Sequence, residues 1–116
     1  MITLKPTVPE MTNNFEPIYS SLASDPDYAD LVKDFASEFP LKAETIRQCV
    51  AEKNLVLLQR TIHQMRGACG GYGFPTLTES AGKVDERLKA GQTLESVEAS
   101  ITEFLNMLAR ATAEKI

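Results

Sequence analysis

Asn54-Leu55-Val56-Leu57-Leu58-Gln59-Arg60-Thr61-Ile62-His63-Gln64-Met65-Arg66-Gly67-Ala68-Cys69-Gly70-Gly71-Tyr72-Gly73 is a helix written in its apolar spacing. Leu55, Leu58, Ile62, Met65, Cys69 and Tyr72 recur at alternating steps of three and four, which aligns them on one face, and Asn54 is a natural N-cap. The same stretch holds the chain's only histidine, His63, and four of its six glycines. A glycine inside a helix costs about 0.8–1 kcal/mol relative to alanine, so several beside one imidazole imply that something must approach that ring closely. His63 is displaced by roughly 120° from the centre of the apolar stripe, which turns it outward. Gly67 and Gly70 stack beside it one and two turns on, and Arg66 flanks it on the side nearer the stripe.

Upstream, Ser24-Asp25-Pro26-Asp27 offers Asp25 as an N-cap, Pro26 at the first helical position and Asp27 at the positive end of the dipole. Leu31, Phe35, Phe39, Ile46 and Val50 follow on one side of a long helix running to about Glu52. Pro40 interrupts it; because the apolar stripe resumes without a loop signal, a kink is expected rather than a restart. Downstream, Thr76-Leu77-Thr78-Glu79 matches a capping box just after Pro75, and Leu77, Ala81, Val84 and Leu88 form the next buried stripe. Gly91 is placed as a left-handed stop, and Thr93 as the cap of a last helix carrying Leu94, Val97, Ile101, Phe104, Leu108 and Ala111 to about Ala113.

No strand signal competes. Short connections force neighbouring helices to run in opposite directions, so the fold class is all-α: an antiparallel up-down four-helix bundle over residues 24–116. Residues 1–23 are expected to be a loosely held arm (1–14) followed by a short helix over 16–22. With 116 residues and 43% hydrophobic content there is material for one core. The net charge of -4, with no basic stripe, argues against nucleic acid as a partner. The longest apolar run, Leu55 to Leu58, is far short of the roughly 20 residues that cross a bilayer, so no membrane partner is expected. Cys49 and Cys69 form no Cys-x-x-Cys pair and no signal peptide accompanies them, which points to a reducing cytoplasm.

His63 therefore stands on a convex face with little neighbouring bulk, a group suited to another protein's cleft. Cys69 lies on the apolar stripe about 120° around from it, which excludes a Cys-His nucleophilic pair. One histidine without a carboxylate or thiolate cluster builds no typical zinc site, and no Gly-x-x-x-x-Gly-Lys nucleotide signature is present. On spacing alone Gly71 and Gly73 read equally as the end of the helix.

The run His63-Gln64-Met65-Arg66-Gly67-Ala68-Cys69, with Gly73 ten residues after His63, resembles the signature of histidine phosphotransfer (HPt) domains. That signature reads His, any residue, Leu or Met, Lys or Arg, Gly, two small residues, then a further Gly. The likeness extends over roughly residues 24–112, with Asn54 where the family usually has Asp and Arg66 where Lys is commoner. It implies a phosphorelay intermediate without kinase activity of its own. His63 would accept a phosphoryl group from an aspartyl phosphate on one receiver domain and pass it to another receiver's aspartate. A neutral imidazole is a good nucleophile near neutral pH and needs no further base. Arg66 would offset the phosphoryl charge, and Gly67 and Gly70 would admit the receiver's loops. Asp85 stands where the family often has a Gln or Glu that fixes the ring, and counting along its helix puts it at the boundary with the histidine helix. The implied partners are response-regulator receiver domains and a hybrid sensor histidine kinase. No cofactor or metal of its own is implied, since Mg2+ belongs to the receiver, and a monomer is expected. The competing reading is a helical adaptor that binds receivers or other partners without carrying phosphate.

Overall fold

The computed structural model describes residues 16–114, and the expected arm over residues 1–14 lies outside them. The elements in chain order are β1 (Ile18–Tyr19), α1 (Ala29–Ala36), α2 (Phe39–Glu52), α3 (Leu55–Gly71), α4 (Pro75–Lys89), α5 (Leu94–Arg110) and β2 (Ala111–Thr112). Helices α2 to α5 form the four-helix bundle: α3 packs on α2 and α4, α5 packs on α4, and α5 returns to α2 to close the ring. Among the described residues no helix is long and apolar enough to cross a membrane.

The histidine helix forms as its spacing requires. Asn54 accepts a hydrogen bond from the Leu57 amide at 3.1 Å, and Leu58, Ile62, Met65 and Cys69 are buried. Its first stripe residue, Leu55, is instead exposed. Lys53, in the left-handed conformation at φ 57°, turns the chain from α2 into α3 with the Asn54 amide bonded back to the Cys49 carbonyl at 2.9 Å. Thr93 caps α5 by accepting from the Ser96 amide at 3.2 Å, and Gly91 stops α4 at φ 84°.

The long first helix is not continuous. Ser37 and Glu38 form a turn in which their amides bond to the Lys33 and Phe35 carbonyls, and α2 restarts at Phe39 with Pro40 in its first turn. A proline there gives up an amide that has no intrahelical partner anyway, so a restart costs less than a kink. The restart also shifts the buried face: Val32 is fully buried while Leu31 is half exposed. Asp25 caps a turn rather than the helix itself, accepting from the Asp27 amide at 2.9 Å, and α1 begins at Ala29.

The start of α4 also differs from the expected capping box. Pro75 itself takes the first helical position, where its fixed φ is already helical, so Phe74 precedes the helix and Thr76 lies inside it, unable to act as the cap.

Residues 16–22 form no helix. Ile18 and Tyr19 pair in parallel with Ala111 and Thr112, and α5 accordingly ends at Arg110. The polar groups of this segment are satisfied across the chain: the Ser20 hydroxyl donates to the Tyr72 carbonyl at 2.6 Å, and the Ser21 amide to the Gly73 carbonyl at 2.8 Å. The segment thus clasps the α3–α4 turn, where Phe35 stacks on Tyr72 at 4.3 Å and Phe39 meets Phe74 edge-on at 5.6 Å. Phe74, Phe104, Ile46, Leu58, Ile62 and Leu77 are fully buried at the centre, each contributing about 1.5–3 kcal/mol of apolar transfer.

Candidate functional site

His63 leaves the middle of α3 on the side facing α4, with its side chain 57% exposed. Its Nδ1 lies 2.9 Å from Oδ2 of Asp85, a carboxylate on α4 that is wholly buried. Three more donors converge on that carboxylate. Gln59 Nε2 reaches Oδ1 at 2.6 Å, while Arg66 Nη1 and Lys89 Nζ reach Oδ2 at 3.1 and 3.3 Å. Burial pushes the Asp85 pKa up, but the hydrogen bonds from His63, Gln59, Arg66 and Lys89 together outweigh it, and the carboxyl sits well below the usual carboxylate range.

An ionised carboxylate only accepts, so Nδ1 carries the hydrogen of the Nδ1···Oδ2 bond and the lone pair of the neutral ring resides on Nε2. The Lys89 ammonium, 3.4 Å from Nδ1, has no lone pair to offer that N–H and is bonded to Asp85 instead.

A depressed pKa in the folded chain has a signed consequence. The stability that these bonds supply is in place above the unfolded carboxyl value of about 3.9 and is lost as the pH falls below it toward the depressed value. Thermal melts taken downward from about pH 7 should therefore show the native chain losing stability relative to Asp85→Asn only below about pH 4. A gap that stays constant to the acid limit would contradict this.

Arg66 is held along α4 rather than free in solvent. Besides Asp85 it bonds Glu86 through Nη2 at 3.2 Å, and its guanidinium crosses Gly82, where a Cβ would stand 3.2 Å from Nε. Gly67 is open: a Cβ there would meet nothing within 4 Å. Gly70 is closer-packed, since its Cβ would stand 3.2 Å from the Thr78 hydroxyl, which donates to the Arg66 carbonyl at 3.0 Å. His63, Arg66, Gly67, Gly70, Gly71 and Thr78 together line a shallow, open depression. Cys69 is buried behind it, and burial pushes its thiol up to about 12, so it offers no thiolate.

The structure thus gathers His63, Arg66 and Asp85 into one cluster and leaves Gly67 beside it on the open face. Gln59, Lys89, Glu86 and Gly82 were not singled out from the sequence. Gln59 lies four residues before His63 and Lys89 four after Asp85, so one-turn spacing from each of those residues was the available signal. A family model described as "Hpt domain" matches residues 30–114. No curated protein and no solved structure matched the chain.

Proposed function

The chain belongs to the Hpt domain family, whose members carry phosphoryl groups in two-component signalling, and from this we propose that it relays a phosphoryl group between receiver-domain aspartates through His63. The observation that carries the reading is the exposed ring whose Nδ1 is bonded to the buried carboxylate of Asp85. In the forward step the Nε2 lone pair attacks the phosphorus of an aspartyl phosphate. The N–P bond forms, the P–O bond breaks, and the carboxylate leaves with the bonding pair. Nδ1 keeps its hydrogen, so the phosphorylated ring is cationic and Asp85 balances its charge. In the return step a carboxylate oxygen of a second receiver attacks phosphorus, and the pair returns to Nε2.

Arg66 and Lys89 are the cations nearest the ring, and a phosphoryl group on Nε2 would compete with Asp85 for them. The partners in this reading are response-regulator receivers and a hybrid sensor histidine kinase in the cytoplasm. The receiver brings the magnesium ion, and this chain acts as a monomeric carrier with no kinase activity.

Incubation with a phosphorylated receiver should leave acid-labile, alkali-stable phosphate on this chain. A chain that binds the receiver yet stays unlabelled would be an adaptor instead. Access is tested separately through Gly67, where a side chain meets only open space. Gly67→Leu should keep the native fold and its labelling by phosphoramidate, a small donor, while labelling from a receiver falls by about tenfold or more. Equal loss from both donors would remove Gly67 from the docking face.

A further inference from the structure

The two oxygens of Asp85 are held unequally. Oδ2 receives His63, Arg66 and Lys89, whereas Oδ1 receives Gln59 alone among the described residues, through the shortest of the four bonds at 2.6 Å. Asp85 is wholly buried, so in the native chain the Oδ1 donor is Gln59 rather than bulk water. The cations are committed elsewhere: Arg66 is shared with Glu86, and Lys89 reaches Oδ2 from one turn along α4. Gln59 supplies the hold on the second oxygen, and a carboxylate held at both oxygens turns about its Cβ–Cγ bond only by breaking bonds at each. A carboxamide, moreover, donates without having a proton to lose, so it holds Asp85 in its acceptor-only form.

We infer that Gln59 is a positioning residue for phosphoryl transfer: by holding Oδ1 it keeps Oδ2 on Nδ1 of His63 and the ring's lone pair on Nε2. The consequence for transfer rests on the phosphotransfer reading of His63; the tautomer control does not. Without Gln59, Oδ1 has no donor among the described residues, and the carboxylate relieves this by rotating to bring Oδ1 within reach of another donor. The charged groups facing it are His63 and Arg66 from α3 and Lys89 from α4, with Glu86 beyond Arg66. That rotation draws Oδ2 off Nδ1, and part of the ring population then carries its hydrogen on Nε2, a nitrogen that in this tautomer has no free lone pair to attack phosphorus.

His63 is the only histidine, so the imidazole 15N resonances of the labelled chain belong to it alone. At a pH where the ring is neutral, the native chain should show the Nδ1–H tautomer. Gln59→Met, which keeps the length and removes the donor, and Gln59→Leu should both show a mixture of tautomers. Transfer from a phosphorylated receiver should fall by about tenfold in each, the scale on which outer partners of a functional histidine act. A pure Nδ1–H tautomer in both variants overturns the inference, as does a mixed tautomer with an undiminished rate. If the native chain accepts no phosphate at all, the phosphotransfer reading falls while the 15N spectra still decide whether Gln59 sets the tautomer.

Discussion

A His63→Gln chain is expected to fold as the native chain does and to accept no phosphoryl group from any donor. The ring is more than half exposed, so its removal opens no cavity in the core. Gln59, Arg66 and Lys89 continue to hold Asp85, and the new amide can donate where Nδ1 did. A surface change of this kind shifts stability by about 0.5 kcal/mol. The loss of transfer is complete because an amide nitrogen, its lone pair delocalised, cannot replace an imidazole as nucleophile. The measurements are a thermal melt beside a labelling assay with both phosphoramidate and a phosphorylated receiver. Alkali-stable label on the variant would move the acceptor away from His63.

Gly73→Ala is expected to carry a large stability loss. Gly73 has φ +83°, and a Cβ there would stand 2.6 Å from the Ser20 hydroxyl, 2.8 Å from that of Ser21 and 3.1 Å from the Leu22 amide nitrogen. Both the backbone conformation and the contacts resist a side chain, and the clasp from residues 20–22 cannot retreat without losing its bonds to Tyr72 and Gly73. The combined cost is about 3 kcal/mol, which lowers the melting temperature by roughly 10 °C or more in a domain of this size. Gly71→Ala is the control: a Cβ there meets nothing within 4 Å and no positive φ stands in the way, so its melt should stay at or slightly above the native one. Equal behaviour of the two variants would show that residues 20–22 do not clamp the turn.

The bundle was legible where a long period and a cap agreed, as in α3 with Asn54 and α5 with Thr93. It was not legible where two structures share one pattern. A proline that kinks a helix and a proline in the first turn of a new helix leave the same apolar spacing, so Pro40 could not announce the break at Ser37 and Glu38. The pairing of Ile18 and Tyr19 with Ala111 and Thr112 is too short to show a period and depends on partners near the other end of the chain. At the site, the outward turn of His63 followed from its angle to the stripe. The convergence of Gln59 and Lys89 did not, because a polar residue one turn from another polar residue also describes an ordinary solvated face.

The Asp85 cluster also fixes how α3 and α4 sit along each other. Its three donors on α3, at positions 59, 63 and 66, span about 10 Å of helix axis, and all meet one carboxylate on α4. A slip of one turn, about 5.4 Å, would keep leucines and valines against other apolar side chains, an exchange to which a purely aliphatic seam is nearly indifferent. It would, however, carry Asp85 away from its three donors on α3 and leave its buried charge with Lys89 of its own helix alone. The buried carboxylate is therefore a registration pin, and the alignment of the two helices and the aim of the ring are one constraint.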